Sequence, residues 1–203
     1  EATGLAAKPL VARAELLLPQ LRSDQANALG IQLARVRAEI ARSEATFQDA
    51  EGILESALQR YRGGPSIEVA GALGDIASLY SLSDQPEQAI ASMRRSSDMH
   101  TQLLGAQARA TLHIHRVLAH QLAVEHQPDQ AKQVLAQQES IIRQSFGEQS
   151  TEFAELLGSR GVIALMSDNN ASAISYFQRQ LQLQQQNRLG ESPNSTSTRH
   201  NLA

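Results

Sequence analysis

Small residues recur along this chain at a fixed interval, and that interval limits the folds open to it. Ala77, Ala119 and Gly161 stand 42 residues apart, and so do Ala89, Ala131 and Ala173. Between the two series lies a turn in each copy: Asp84-Gln85-Pro86-Glu87-Gln88, then His126-Gln127-Pro128-Asp129-Gln130, then Asp168-Asn169-Asn170-Ala171-Ser172. Leu202-Ala203 falls at the next interval after Gly161, where Leu118-Ala119 stands in the middle copy. A period of this size means one supersecondary unit stacked on itself. Each copy buries its apolar face only against its neighbours.

The unit is helical. Aromatic residues are 3% of the 203, Trp and Cys are absent, and the apolar positions follow helical spacing. Ala7, Val11 and Ala14 form a stripe at i, i+4, i+7, repeated as Ala50, Leu54 and Ala57. The first helix is therefore the second half of a unit, spanning about residues 5–22. Pro9 is tolerated if the helix begins near Lys8, and Pro19 ends or kinks it. Complete units follow over about 23–64, 65–106, 107–148 and 149–190, and a half unit over 191–203. A helix over Ser23–Arg42 has Ser23 or Asp24 as cap, with Leu29, Leu33, Val36 and Ile40 as its apolar face. Asp84 caps the second helix of its unit, with Pro86 at its first position. The Gln-rich stretch Gln178–Gln186 keeps helical spacing, which predicts a solvated helix face that includes Gln184. Glu191–Thr198 reads as a turn, and Thr198–Ala203 opens another first helix. The chain starts at Glu1 with no signal-peptide layout and stops in a helix. It reads as one domain cut from a longer protein.

The pattern resembles the tetratricopeptide repeat in its long 42-residue form, as in kinesin light chains and bacterial signalling proteins. The resemblance covers about residues 5–203. It rests on the small pairs Ala38/Ala50, Ala77/Ala89, Ala119/Ala131 and Gly161/Ala173. It rests also on the large second-helix residues Leu54, Met93, Leu135 and Phe177, and on the endings Leu104-Gly105, Phe146-Gly147 and Asn201-Leu202-Ala203. Arg160 departs from it, standing where Leu is usual, and so does His115. The resemblance implies an all-α, right-handed solenoid of antiparallel helix pairs whose first helices line a concave groove. Projected onto this sequence, the groove residues are Gln32, Arg35, Glu39 and Arg42; Gly71, Gly74, Ser78 and Ser81; His113, Arg116 and His120; and Glu155 and Gly158, with His200 next.

The chemistry expected of those residues is recognition. Arg35 and Arg116 occupy equivalent places, and arginine forks suit carboxylates. Ordinary surface arginines are the alternative. Gly71, Gly74 and Gly158 each cost a helix about 1 kcal/mol against Ala. They either open the groove to a ligand backbone or permit close helix packing. His113 and His115 point about 200° apart, and His113 and His120 lie about 10 Å apart along the axis, too far for one ion. No metal or cofactor is expected. Glu152 and Glu155 read as a solvated pair. With no Cys nucleophile, phosphate-cradling loop or nucleophile elbow, an enzyme is not expected. A net charge of −3 gives no basic field for nucleic acid, and no apolar run reaches the roughly 20 residues that span a bilayer.

The sequence thus describes a protein- or peptide-binding scaffold, the recognition part of a larger bacterial signalling or regulatory protein. A sensory module controlling an attached kinase or DNA-binding domain is one alternative, and a structural assembly module is another. A cytoplasmic location is expected, with the periplasm as the alternative. Exposed apolar ends near Leu10 and Leu202 suggest weak self-association.

Overall fold

The computed structural model describes residues 2–187, and of residues 2–7 and Asp24 it describes the backbone alone. The expected turn at 191–198, the helix opening at Thr198 and the groove residue His200 lie outside the described residues. Among those described there are nine α-helices and no strand. They are α1 (Ala2–Leu17), α2 (Ser23–Ser43), α3 (Phe47–Arg60), α4 (Ile67–Leu82), α5 (Pro86–Leu104), α6 (Arg109–Val124), α7 (Pro128–Ser145), α8 (Thr151–Met166) and α9 (Asn170–Gln186). Two compact units divide the chain between Leu103 and Leu104. The first holds α1, the hairpin α2–α3 and the pair α4–α5. The second holds the hairpins α6–α7 and α8–α9.

One backbone device closes every hairpin. Ala45, Asp84, His126 and Asp168 take φ between 56° and 60°, although none is glycine. The residue after each donates its N–H five residues back: Thr46 to Ala41 O at 3.0 Å, Gln85 to Tyr80 O at 2.8 Å, Gln127 to Leu122 O at 2.7 Å and Asn169 to Ala164 O at 2.9 Å. This is the left-handed closure that satisfies the last carbonyls of a helix and reverses the chain. Asp84 is therefore the left-handed residue and not a cap for α5, which opens at Pro86, where a missing N–H costs nothing. Two of the second helices, α5 and α7, are followed by left-handed glycines: Gly105 and Gly147 have φ of 85° and 82°.

The small residues lie where the two helices of a hairpin cross. Ala50, Ala77, Ala89, Ala119 and Ala131 are wholly buried, and Ala38 is 4% exposed. The large residues of the second helices, Leu54, Met93, Leu135 and Phe177, are buried as well. In α8–α9 the pair is re-proportioned. A Cβ on Gly161 would come within 2.5 Å of the Phe177 ring, so the largest knob faces the smallest hole. Three residues after Met93, Leu135 and Phe177 comes a buried polar side chain: Ser96, Gln138 and Gln180. Ser96 Oγ donates to Ala70 O at 2.7 Å, and Gln138 Nε2 donates to Leu112 O, each tying a second helix to the backbone of its first.

Several local expectations are corrected. α1 runs through Pro9 instead of starting beside it, and Pro19 follows the helix in a short 3-10 turn, Leu18–Gln20. Ser23 and Asp24 lie inside α2, and Arg22 takes the extended cap position without a side-chain bond. The buried face of α2 is Ile31, Ala34, Ala38 and Ala41. Val36, assigned to the apolar face, is 45% exposed. The close crossing selected the small-residue face, and periodicity had weighted the larger side chains. The Gln-rich stretch forms α9 as expected, but Gln180 and Gln184 are buried at 6% and 3% exposure. Gln184 stands one period after Ile142, a core residue, so its place in the repeat overrode its polarity.

At the position before the small residue the repeat has two solutions. Ile76 is 2% exposed in the core against which Leu58 of α3 packs. At the matching positions, Arg37 pairs with Glu15 of α1 at 2.8 Å, and Arg160 pairs with Glu139 of α7 at 2.5 Å. The departure at Arg160 is thus matched by an acid on the preceding second helix.

Candidate functional site

In the first unit, α2 and α4 wall a cleft of about 790 Å³ that gathers Gln32, Arg35, Glu39, Arg42 and Ser78, five of the groove residues read from the sequence. Ala38, Leu54 and Leu79 form its buried floor. Helical spacing explains the walls. Residues 32, 35, 36, 39, 42 and 43 make one stripe on α2, and 75, 78, 79 and 82 make another on α4.

The charges in this cleft are already paired. Arg35 Nε donates to Asp75 Oδ2 at 2.5 Å and Nη2 to Oδ1 at 3.4 Å, which links the two walls. Its guanidinium lies over Gly71, where a Cβ would meet Nη1 at 2.6 Å. Arg42 grips Glu39 at 2.8 and 2.6 Å. The bond from Arg42 holds the Glu39 carboxyl below its ordinary value, against the small opposing effect of burial. Ser78 Oγ donates to Gly74 O within its own helix, at 3.3 Å. Gln32 Nε2 reaches Glu68 at 3.5 Å.

On the other flank of α4, Tyr80 donates its hydroxyl to Glu55 at 2.6 Å. Burial, followed by the Glu55 and Glu51 carboxylates, pushes its phenol up. This aromatic fastens α3 to α4 and is not a cleft residue.

In the second unit the corresponding face lies on α6 and α8. Arg116 Nη2 donates to Glu155 at 2.5 Å with its side chain 12% exposed. Burial lowers the guanidinium's value, and Glu155 and Glu152 oppose that effect. One of its nitrogens, Nη1, is buried without a hydrogen-bond partner. Glu152 is 6% exposed and accepts from Arg109 at 2.5 Å, so Glu152 and Glu155 are not the solvated pair the sequence suggested. Each is drawn against α6 by its own arginine. His113 and His120 are exposed on α6. Among the described residues no group of His, Cys, Asp and Glu is arranged to hold a metal ion.

Two of the three glycines make room for a neighbouring side chain. Gly71 accommodates Arg35, and Gly158 accommodates Gln180, whose amide would lie 2.6 Å from a Cβ. Gly74 has Ser96 Oγ at 3.6 Å. The site residues that the sequence reading passed over are Asp75, Val36 and Leu82. Asp75 carries a legible signal: it lies 40 residues after Arg35, nearly the interval of 39 residues by which Glu155 follows Arg116. Leu82, the last residue of α4, is 59% exposed and had no distinguishing mark.

Paired helices joined by identical turns, with small residues at each crossing, define an all-α repeat of the tetratricopeptide type. Solved structures agree. BtubC (BKLC) from P. vanneervenii is similar over 98% of this chain and 80% of that one, at 19% identity and a TM-score of 0.75. A putative kinesin light chain from Podosopora anserina, with nearly identical TPR-like repeats, is similar over 92% and 89%, at 13% identity and a TM-score of 0.77. A Rap protein complexed with Competence and Sporulation Factor is similar over 88% of this chain and 48% of that one, at 16% identity and a TM-score of 0.60. The sequence itself matches no family model and no curated protein at a significant level. Among the described residues no helix is long and apolar enough to cross a membrane.

Proposed function

We propose that this chain is a non-catalytic scaffold that binds a segment of another protein along its first helices. The observation that carries this reading is the cleft between α2 and α4, which brings together Gln32, Arg35, Glu39 and Ser78. Gly74 stands behind that wall. Within the second unit, His113, Arg116 and His120 on α6 and Glu155 on α8 are the candidates at the matching repeat positions. The likeness to a Rap protein complexed with Competence and Sporulation Factor supports a regulatory setting. In that setting residues 1–203 form one repeat array within a larger bacterial, cytoplasmic signalling protein, and the segment is the array's input. A second reading, assembly through the ends of the array, draws support from Leu10 and Leu16, which are 68% and 76% exposed on α1.

Photocrosslinking tests the choice. A benzoylphenylalanine is placed at Gln32 or Ser78 in the cleft, at Leu10 or Leu16 on α1, or at Asp129, a side chain 95% exposed in the first turn of α7. Crosslinks to a second protein that concentrate at positions 32 and 78 support the scaffold reading. Crosslinks of this chain to itself at positions 10 and 16 support assembly. Capture only at position 129 overturns both.

A further inference from the structure

The cleft's own chemistry selects among segments, and this inference rests on the scaffold reading. Four ionisable side chains line it, and they cancel: Arg35 and Arg42 against Asp75 and Glu39. Each is committed to a partner inside the cleft, at 2.5 Å for Arg35–Asp75 and 2.6 Å for Arg42–Glu39. A ligand carboxylate that reached Arg35 would have to displace Asp75. It would leave that carboxylate beside it, with the ionised Glu39 on the same wall. Like charges brought together oppose binding, so the exchange gains nothing. A ligand ammonium aimed at Asp75 meets the same difficulty from Arg35.

The apolar groups are in the opposite condition. Val36 on α2 and Leu82 on α4 both line the cleft, at 45% and 59% exposure. Both lie above a floor of Ala38, Leu54 and Leu79. Covering such side chains is worth about 25 cal/mol for each Å² of apolar surface removed from water. The driving force available to an incoming chain is therefore burial, and charge supplies orientation at most.

We infer that the α2–α4 cleft recognises a charge-balanced peptide segment through one bulky apolar side chain (Leu, Met or Phe) seated against Val36 and Leu82, and not an acidic motif through its arginines. A neutral cleft gives little electrostatic steering, so binding has a shallow salt dependence.

The probe is a displayed library of random dodecapeptides selected on the full chain, with enriched peptides synthesised and titrated by fluorescence anisotropy. Expected are peptides of near-zero net charge with a central large apolar residue. Their Kd should change less than about threefold between 50 and 300 mM salt. They should bind at least about tenfold more weakly to Leu82→Glu and to Val36→Glu, and within about threefold of wild type to Asp129→Ala, a fully solvated position outside the cleft. Both replaced apolar residues are exposed, and far-UV circular dichroism checks that the variants fold. Enriched peptides that are acidic, salt-sensitive and lost on Arg35→Ala overturn this inference and leave the scaffold reading standing. Binders indifferent to Leu82→Glu, to Val36→Glu and to Arg35→Ala alike, or no enrichment at all, overturn both.

Discussion

The Arg160–Glu139 pair offers a direct test of how this repeat tolerates a charge at a core-facing position. Both side chains are 21% exposed, and their contact is 2.5 Å. Glu139 also accepts from Arg143, and Arg160 lies 6.0 Å from the Tyr176 ring centroid. Unit charges about 4 Å apart gain about 4 kcal/mol at an effective dielectric near 20. Partial desolvation of two ions cancels much of that, leaving a net coupling of about 1–2 kcal/mol. Arg160→Leu alone removes the coupling but leaves Glu139 with Arg143, so a loss of about 1–2 kcal/mol is expected, or about 2–8 °C in Tm for a chain of this size. The double variant Glu139→Leu, Arg160→Leu recreates the Leu58/Ile76 solution of the first unit. It should return to within about 1 kcal/mol of wild type. Urea and thermal unfolding at pH 7, followed by circular dichroism, gives the double-mutant cycle. Strict additivity, with coupling below about 0.3 kcal/mol, would refute the argument, and so would a double variant less stable than either single one.

The same pair predicts a pH dependence. Burial pushes the Glu139 carboxyl up, but hydrogen bonds and charge from Arg143 and Arg160 outweigh it and hold the group below its ordinary value. A carboxyl whose folded value lies below its unfolded one stabilises the fold above the unfolded value, near 4.3, and loses that contribution as pH falls through the folded one. The Tm advantage of wild type over Glu139→Gln should therefore be full at pH 7 and shrink steadily below about pH 4.3; an advantage that grows on acidification contradicts it. Gly161→Ala should cost about 1–3 kcal/mol by driving a Cβ into the Phe177 ring. Adding Phe177→Leu should recover most of it, since the preceding hairpin carries Ala119 and Leu135, both buried, at the same two repeat positions; failure to recover in thermal melts would break the knob-and-hole assignment. Gln184→Leu should leave Tm unchanged or raise it, by up to about 2 kcal/mol of stability. The reason is that the Gln184 Oε1 is buried without a partner, in the place Ile142 fills one period earlier. A clear loss of stability would show that the amide is needed.

The repeat itself was legible in the sequence. Spacing of 42 identified the helix pairs, the small residues at their crossings and the glycines at 105 and 147, because a left-handed closure and a close crossing each admit few residue types. The turn residues Ala45, Asp84, His126 and Asp168 share a conformation but no side-chain chemistry, so their role emerges from the hydrogen bonds around them. Register alone chose the groove candidates, and the cleft of the first unit brings five of them together. What register could not supply was pairing. Whether Arg35 and Arg116 present free forks depends on Asp75 and Glu155, one helix pair further on, and their reach is set by how neighbouring first helices pack. Burial escaped in the same way. Gln184 is polar by composition and core by position, Val36 is apolar and exposed, and Leu82 closes a helix in solvent. A side chain's chemistry is local, whereas its exposure and its partner are properties of the packed neighbours. The sequence alone therefore determined the architecture, and the tertiary structure decided which charges are committed and which apolar groups stay exposed.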